Sequence, residues 1–152
     1  SETTTKLLPK DEAAEKGLVN VQIDGNWIQV PRGTRMIEAC KIAEEEVPHY
    51  CYHSKLSSPG NCRMCMVQMG MPPRLAPGAE PEYNDEGYQE IGWMPRLVIS
   101  CANTVAENMG IRTSGDLVEK TREGVMEFLL INHPLDALYV TKRVNAHCKN
   151  FP

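Results

Sequence analysis

The sequence predicts a small α+β domain built around one sheet. Three observations lead to this prediction: 152 residues suit a single domain, alternating apolar and polar residues indicate strands, and two stretches repeat apolar residues at helical spacing. Acidic residues number 20 and basic residues 16, and this net charge of −4 argues against nucleic-acid binding. No apolar run approaches the roughly 20 residues of a membrane span. Residues 1–17 resemble a polar tail rather than a signal peptide, so we expect a soluble intracellular protein.

The first two predicted strands form a β-hairpin. Apolar and polar residues alternate over residues 18–23 and again over residues 27–30, as they do in half-buried strands. Between them, Asp24-Gly25-Asn26 is typical of a tight turn, in which glycine adopts the positive φ that the turn needs.

A helix is predicted next, from Gly33 to Val47, where a following proline disfavours the α region. Thr34 is a suitable N-cap. Cys40 lies on the apolar stripe of this helix, so we expect a small buried hydrophobe there rather than a ligand. Three glutamates at residues 44–46 would stand at the negative end of the helix dipole, and the pattern gives no reason for them.

The middle of the chain predicts a loop, a strand and a second loop. Residues 48–64 form the first loop and residues 66–71 the strand, which two prolines end. Residues 76–93 are rich in glycine, proline and acid, which is typical of a solvated surface loop. Two further short strands are predicted at residues 96–105 and 109–113.

A second helix is predicted after Ser114, which would be its N-cap, and before His133-Pro134, which would end it. Gly124 lies inside this helix, where glycine costs roughly 1 kcal/mol relative to alanine, so we expect another element to pack closely there. The apolar face comprises Leu117, Val118, Thr121, Val125, Phe128 and Leu129.

Four of the six cysteines form a ligand-like pattern. Cys51, Cys62, Cys65 and Cys101 have the spacing C-x10-C-x2-C-x35-C. A C-x2-C pair can direct both sulfurs at one metal, and a [2Fe–2S] cluster needs two terminal thiolates on each of its irons. Gly60 lets the backbone approach the sulfurs, so that N–H groups can hydrogen-bond to them. The pattern therefore favours an iron–sulfur site.

Other uses of the thiols stay open at this point. Zinc also takes four cysteines, but commonly from two C-x2-C pairs, and one such pair is present here. A Rieske centre would need a histidine in place of Cys65, and a thioredoxin-like dithiol would begin a helix rather than a strand. Three disulfides are disfavoured in a reducing compartment. His49 and His53 are expected to hydrogen-bond within the loop rather than bind metal.

Several segments, in one order, resemble a known family. They are Cys51-Tyr52-His53, residues 60–67 (Gly-Asn-Cys-Arg-Met-Cys-Met-Val), Ser100-Cys101, residues 125–130 (Val-Met-Glu-Phe-Leu-Leu) and residues 132–136 (Asn-His-Pro-Leu-Asp). Over about residues 18–136, the chain resembles the N-terminal part of the large iron–sulfur subunit of respiratory NADH:quinone oxidoreductase (the 75-kDa subunit of complex I). Similar modules occur in NAD-linked hydrogenases and formate dehydrogenases.

The resemblance implies a β-grasp ferredoxin-like domain at residues 18–114, with a [2Fe–2S] cluster on Cys51, Cys62, Cys65 and Cys101. Residues 115–136 would begin a second domain, whose [4Fe–4S] cluster takes one histidine and three cysteines in the family. His133 matches that histidine. The expected cysteines after Asp136 are missing, so we expect that this chain has lost the [4Fe–4S] cluster and that His133 is an orphan ligand.

Residues 137–152 diverge from the family, and a single-base deletion would explain the divergence. If one T is restored after the Asp136 codon, permitted codons allow Cys-Pro-Val-Cys-Asp-Gln-Ala-Gly-Glu-Cys to follow. Behind His133 this reads H-x3-C-x2-C-x5-C, the ligand pattern of the family's second site. We therefore expect a frameshift, in the gene or in its sequencing, and reading the coding DNA across this codon tests it. Cys148 would then be a product of the shifted reading frame and have no role.

The resemblance also implies a function. The chain would relay single electrons inside a complex I-type assembly, beside the flavin- and NADH-binding subunit, and would not turn over NADH alone. It would lie in the cytoplasm of a bacterium, peripheral on the inner face of the plasma membrane and not inserted in it. Arg63, between two ligands, would stabilise the reduced cluster.

Three alternatives to this function stay open. One is the [2Fe–2S] subunit of an NAD-linked hydrogenase or formate dehydrogenase. Another is a zinc-stabilised interaction module without a redox role. The last is a nonfunctional fragment whose second helix exposes its apolar face.

Overall fold

The structure is a computed structural model, and it describes residues 7–74, 78, 80–85, 87–131 and 133. Five strands and three helices lie within these residues, and none of the three helices has the length and hydropathy of a bilayer span. Their mixture around one sheet confirms the predicted α+β class. In chain order they are α1 (Lys10–Glu15), β1 (Leu18–Ile23), β2 (Asn26–Pro31), α2 (Met36–Ile42), β3 (Met66–Met71), β4 (Gly92–Ile99), β5 (Met109–Arg112) and α3 (Asp116–Leu130).

The five strands form one sheet in the order β2-β1-β5-β3-β4. β1 and β2 pair antiparallel as the predicted hairpin, and Asp24 (φ 46°) and Gly25 (φ 94°) form its turn. β5 pairs parallel with β1 and antiparallel with β3, which in turn pairs antiparallel with β4. β5, which follows α2, β3 and β4 in the chain, therefore lies in the middle of the sheet, between β1 and β3.

One hydrophobic core joins α2 to the sheet. Val19, Val21 and Ile23 share one face of β1 because side chains alternate along a strand, and all three are buried. Cys40 of α2 is fully buried among them, and desolvation, aided by the Asp24 and Glu45 carboxylates, raises the pKa of its thiol to about 12. The prediction of Cys40 as a small buried hydrophobe is confirmed.

The helix α2 is shorter than predicted at both ends. Thr34 is not its N-cap, because the Thr34 hydroxyl donates to the Pro31 carbonyl at 2.7 Å and Arg35 precedes the first turn. At the other end, Glu44 adopts a left-handed φ of 63° and the Glu45 N–H donates to the Cys40 carbonyl at 2.9 Å. This hydrogen bond closes the helix in a Schellman-like turn. The three glutamates therefore follow the helix, and their negative charges do not lie in its last turn.

The predicted polar tail is structured over part of its length. Residues 10–15 form α1, which packs against β1 and buries Ala13 completely. Just before it, the Gln29 side chain of β2 hydrogen-bonds to both the N–H and the carbonyl of Leu8, at 2.9 and 2.7 Å. The prediction of a polar tail is therefore wrong over this segment. Hydrogen bonds between the Gln29 side chain and the Leu8 backbone hold the segment, and such bonds leave no apolar periodicity in the sequence.

The predicted solvated loop before β4 is partly buried. Tyr88 is buried and stacks on Trp27 of β2, with ring centroids 4.0 Å apart. Ile91 lies so close to two strands that a Cβ on Gly70 or on Gly110 would come within 2.3 or 2.8 Å of its Cγ2. The prediction of full solvation is wrong here because a few large apolar residues outweigh the surrounding acidic ones. β4 begins and ends earlier than the predicted strand 96–105.

The helix α3 begins at Asp116 after Gly115, so Ser114 is not its N-cap. Val118 is its only buried residue, and a Cβ on Gly124 would meet nothing within 4 Å. The predicted close packing at Gly124 is therefore wrong, because no described element covers that side of the helix. Pro134, the tail at residues 137–152 and its Cys148 lie outside the described residues.

Candidate metal centre

The structure brings the four predicted ligand cysteines into one cluster. Cys51 lies close enough to Cys62 to lower the pKa of its thiol, and Cys65 and Cys51 lie close enough to Cys101 to raise the pKa of its thiol. Cys65 and Cys101 are 1% and 0% exposed, whereas Cys51 and Cys62 are half-buried. The five described cysteines all carry free thiols, so no disulfide joins any two of them.

The two buried thiols are positioned by the sheet and α2. The Ser100 N–H and hydroxyl both donate to the Cys65 carbonyl, at 3.0 and 2.8 Å, which fixes the neighbouring Cys101 beside the start of β3. From the other side, the Ile37 N–H of α2 donates to the Ser100 carbonyl at 3.1 Å. Because these contacts join distant parts of the chain, the position of this pair depends on the completed fold.

The loop that carries Cys51 is anchored to α2 through its neighbour. The Tyr52 hydroxyl donates to the Glu38 carboxylate of α2, and burial together with Glu38 raises the pKa of Tyr52. Nδ1 of His49 lies 2.8 Å from the Val47 carbonyl, and Nδ1 of His53 accepts from a backbone N–H of the same loop at 3.2 Å. Both histidines hydrogen-bond within the loop, as expected.

Left-handed backbone lies on either side of Cys62. Gly60 has φ 64° and Arg63 has φ 60°, so the chain turns tightly around the thiol. A Cβ on Gly60 would lie 3.0 Å from Cδ1 of Ile99 in β4. The glycine therefore allows the loop to approach the sheet. Arg63 is exposed.

The surroundings of Cys62 stabilise a thiolate. Desolvation acts to raise its pKa, but backbone hydrogen bonds at Cys51, Met64 and Tyr50 and a hydrogen bond from the Cys51 thiol lower it to about 7. A metal ligand must be deprotonated, so this environment suits a ligating sulfur. The pKa of Cys101 is raised instead, first by desolvation and then by the nearby Cys65 and Cys51.

The buried Ser58 hydroxyl indicates whether an iron–sulfur group fits among the four thiols. Its hydroxyl is buried and forms no hydrogen bond of ordinary geometry within the described residues, although it lies beside Cys101 and acts to lower the pKa of that thiol. A bound group that carries sulfur acceptors would satisfy this hydroxyl and the N–H groups around Cys62. In the described residues, no three His, Cys, Asp or Glu side chains surround a single metal-ion position, and a two-iron group takes its four thiolates two to each iron. The donor set fits a two-iron group.

Sequence reasoning missed two side chains near the thiols. Ser58 carries no signal in the sequence, and Arg122 reaches the site from α3, where its Nη2 donates to the Met66 carbonyl at 3.2 Å. Only its place on the half-buried stripe of α3, four residues after Val118, could have indicated it. His133, which the resemblance implies as an orphan ligand of a second cluster, is exposed beyond the end of α3.

Comparisons with known proteins agree with this geometry. Residues 16–116 match the family described as "2Fe-2S iron-sulfur cluster binding domain". NADH-quinone oxidoreductase subunit 3 of Thermus thermophilus is 40% identical over 78% of this chain, which corresponds to 15% of that protein. An NADH-quinone oxidoreductase subunit of Rickettsia felis is 41% identical over 78% of this chain and 14% of that protein. The mitochondrial NADH dehydrogenase (ubiquinone) iron-sulfur protein 1 of Solanum tuberosum is 40% identical over 78% of this chain and 13% of that protein.

A solved structure shares the fold. The NAD+-reducing [NiFe]-hydrogenase in the H2-reduced state is similar with a TM-score of 0.52 and 21% identity, over 73% of this chain and 37% of that one. The chain thus spans about 15% of the length of the first of the curated relatives. The family match, however, runs from before β1 to the start of α3 and includes all four clustered cysteines. The chain therefore belongs to the family of 2Fe-2S iron–sulfur cluster binding domains.

Proposed function

We propose that the protein carries single electrons on a [2Fe–2S] cluster held by Cys51, Cys62, Cys65 and Cys101. The observation that carries this proposal is the arrangement of the four thiols as two adjacent pairs within the segment that matches the family. A two-iron cluster takes two thiolates on each iron. Cys51 and Cys62 would bind one iron, and Cys65 and Cys101 would bind the other.

The protein's own residues would shield and orient the bound group. When bound, the cluster supplies reversible one-electron chemistry. Cys65 and Cys101, which are almost fully buried, would exclude water from one side, whereas Cys51 and Cys62 would leave the other side nearer to solvent. The backbone N–H groups around Cys62 and the Ser58 hydroxyl would hydrogen-bond to sulfur. Electrons would then enter or leave most easily at the half-buried pair.

We further propose a place for this carrier in a complex I-type assembly. Relatives that are 40% and 41% identical are named as subunits of NADH-quinone oxidoreductases, which supports a role within a multisubunit assembly. The flavin- and NADH-binding subunit would be the neighbour that exchanges electrons with it. The assembly would hold the chain at the inner face of a bacterial plasma membrane. An NAD-linked hydrogenase or formate dehydrogenase stays the alternative parent, and the likeness to a hydrogenase supports the fold alone.

The second cluster of the family would be missing from this chain. His133 is exposed, and the sequence after Asp136 lacks the three cysteines that would accompany it. One histidine does not hold a [4Fe–4S] cluster. Reading the coding DNA across the Asp136 codon tests the proposed frameshift: a sequence that cannot encode the three cysteines in the shifted frame would refute it.

The proposed carrier is tested by spectroscopy on the full chain, purified without oxygen. Visible absorption and low-temperature EPR are recorded before and after reduction with dithionite. The proposal predicts a coloured protein whose absorption bleaches and which gives one S = 1/2 signal on reduction. NADH added alone should leave the spectrum unchanged, since the flavin is expected on the partner. A colourless protein that contains zinc would support the interaction module instead, because Zn²⁺ is not redox-active.

A further inference from the structure

We propose that Arg122 is a positioning residue of the electron carrier and stabilises the reduced state of the group held by Cys65 and its partner thiols. This inference rests on the proposed function, because it concerns the potential of that same cluster. Reduction adds one electron and no atom, so the site becomes more negative by one charge. A fixed positive charge beside the buried pair of thiols favours that state and raises the reduction potential.

The geometry holds the Arg122 guanidinium at the start of β3. Arg122 lies in the second turn of α3, and its Nη2 donates to the Met66 carbonyl at 3.2 Å. Met66 directly follows Cys65 in the sequence. Nε of Arg122 is buried and has no hydrogen-bond partner within the described residues. The side chain thus folds inward along the α3–β3 contact.

The charge on Arg122 acts on Cys65. Desolvation lowers the pKa of Arg122, and the nearby Cys65, Asp24 and Glu119 each act to raise it, with the Cys65 thiol first among them. Guanidinium remains protonated under all ordinary conditions, so the positive charge is permanent. The positive charge beside Cys65 is therefore present at every ordinary pH.

No described carboxylate neutralises this charge at contact distance. Among the described residues, the only ion pair within 4.0 Å joins Lys16 to Glu12. Asp24, whose carboxylate also acts on Arg122, accepts hydrogen bonds from the N–H and hydroxyl of Thr113, at 2.9 and 2.5 Å. The field of Arg122 at the thiols is therefore not cancelled by a paired anion.

Burial distinguishes Arg122 from the arginine that the sequence suggested. Arg63 lies between two ligand cysteines in sequence, but its side chain is exposed and solvent screens its charge. Arg122 is half-buried and lies against the backbone that follows Cys65. In this environment a unit charge acts more strongly than it does in water. Arg122, rather than Arg63, is therefore the cation that sets the potential.

The test is a redox titration of the loaded full chain, followed by the S = 1/2 EPR signal. Arg122→Gln should lower the midpoint potential by about 59 mV, which is about a tenfold change in a one-electron equilibrium. Arg122→Lys keeps the charge and should retain most of the wild-type value. Lys120→Gln removes an exposed charge from the same helix and should change the equilibrium by less than about twofold.

Two outcomes of this titration would overturn the proposal. One is an Arg122→Gln midpoint that matches that of Lys120→Gln. The other is an Arg122→Lys midpoint as low as that of Arg122→Gln, because the hydrogen bond to Met66 rather than the charge would then matter. A wild-type chain that loads iron and is reversibly reduced supports the proposed function in either case. A wild-type chain that loads no cluster contradicts the proposed function, and this inference with it.

A second pair of variants decides the matter if Arg122→Gln does not fold. Glu119→Gln removes an exposed carboxylate that acts on Arg122, and Glu123→Gln removes an exposed carboxylate from the next turn of α3. Neither change disturbs a buried side chain. Glu119 offsets part of the field of the permanent Arg122 charge, so Glu119→Gln should raise the midpoint more than Glu123→Gln does. Equal shifts of the two variants would contradict the proposal that the field of Arg122 reaches the thiols.

Discussion

The sheet with its cysteine loop differs sharply from the end of α3 in how much of its apolar surface is covered. Val21, Ile23 and Ile111 of the sheet are 0% exposed. At the end of α3, by contrast, Phe128 in the last turn and Ile131 just after it are 75% and 72% exposed. The same chain therefore contains a region that covers its own core and a region whose apolar side chains have no described neighbour over them.

The difference shows which contacts the candidate site needs. The thiols are fixed by hydrogen bonds within the first region, such as those of Ser100 to the Cys65 carbonyl. From α3 the site receives Arg122, which reaches β3, and Met126, whose sulfur accepts from the Tyr50 hydroxyl beside Cys51 at 3.4 Å, while Val118 anchors the start of the helix in the core. We therefore expect cluster binding to survive changes at the end of α3, and to fail when a ligand is removed.

Removal of a ligand thiol gives the largest expected effect. Cys65→Ala should abolish the reduced EPR signal and most of the bound iron, because one iron then lacks a thiolate. Cys40→Ala is the matched control, since its thiol is equally buried but lies on the inner face of α2. The control should keep its iron while it loses about 1 kcal/mol of unfolding free energy. Equal iron loss in the two variants, measured by metal analysis, would contradict the ligand assignment.

The next largest effect is expected inside the sheet. Gly70→Ala places a Cβ within 2.3 Å of Cγ2 of Ile91 and 3.0 Å of Cε3 of Trp93. Overpacking of this kind should cost about 2 kcal/mol of unfolding free energy. A urea titration followed by far-UV circular dichroism measures this cost. An unchanged midpoint would show that the segment before β4 does not pack on the sheet.

Substitution of Gly124, in α3, should change the stability in the opposite direction. Gly124→Ala adds a Cβ that meets nothing within 4 Å, in the middle of a helix. Because alanine favours helices, the substitution should raise the unfolding free energy by about 1 kcal/mol. The same urea titration compares it with Gly70→Ala. A loss of stability at Gly124 would indicate that something packs against this side of α3.

The smallest effect on stability is expected at the exposed end of α3. Phe128→Ser should change the unfolding free energy by no more than about 0.5 kcal/mol, because the side chain is 75% exposed. Val118→Ala, at the buried start of the helix, should cost about 2 kcal/mol. Exposed apolar patches promote association, so Phe128→Ser should also reduce concentration-dependent self-association in sedimentation. A loss of stability as large as that of Val118→Ala would contradict the comparison.

Local patterns predicted the elements that depend on neighbouring residues. Alternation identified β1 and β2, and the spacing of Cys62 and Cys65 indicated the candidate ligand loop. The C-terminal end of α2 was harder to predict. Glu44 ends the helix with a positive φ, and a glutamate side chain gives no indication of that conformation. The cysteine pattern alone indicated four ligands, but it did not indicate how the fold pairs them.

Long-range contacts explain the rest of what the sequence did not show. Asn20 Nδ2 donates to Glu107 at 2.7 Å across 87 residues of sequence, and no local pattern indicates such a partner. The stack of Tyr88 on Trp27 likewise turned a predicted solvated loop into a partly buried segment. Arg122 was missed for the same reason, since its contact with Met66 joins residues 56 apart.

The central claim, that four thiols hold a two-iron group, is tested most directly by counting atoms. Iron, acid-labile sulfide and zinc are measured per chain on protein purified without oxygen, beside the Cys65→Ala variant. The account predicts about two irons and about two sulfides per chain and no stoichiometric zinc, as a four-cysteine [2Fe–2S] site requires. One zinc per chain without iron or sulfide would contradict it and would support a structural zinc module.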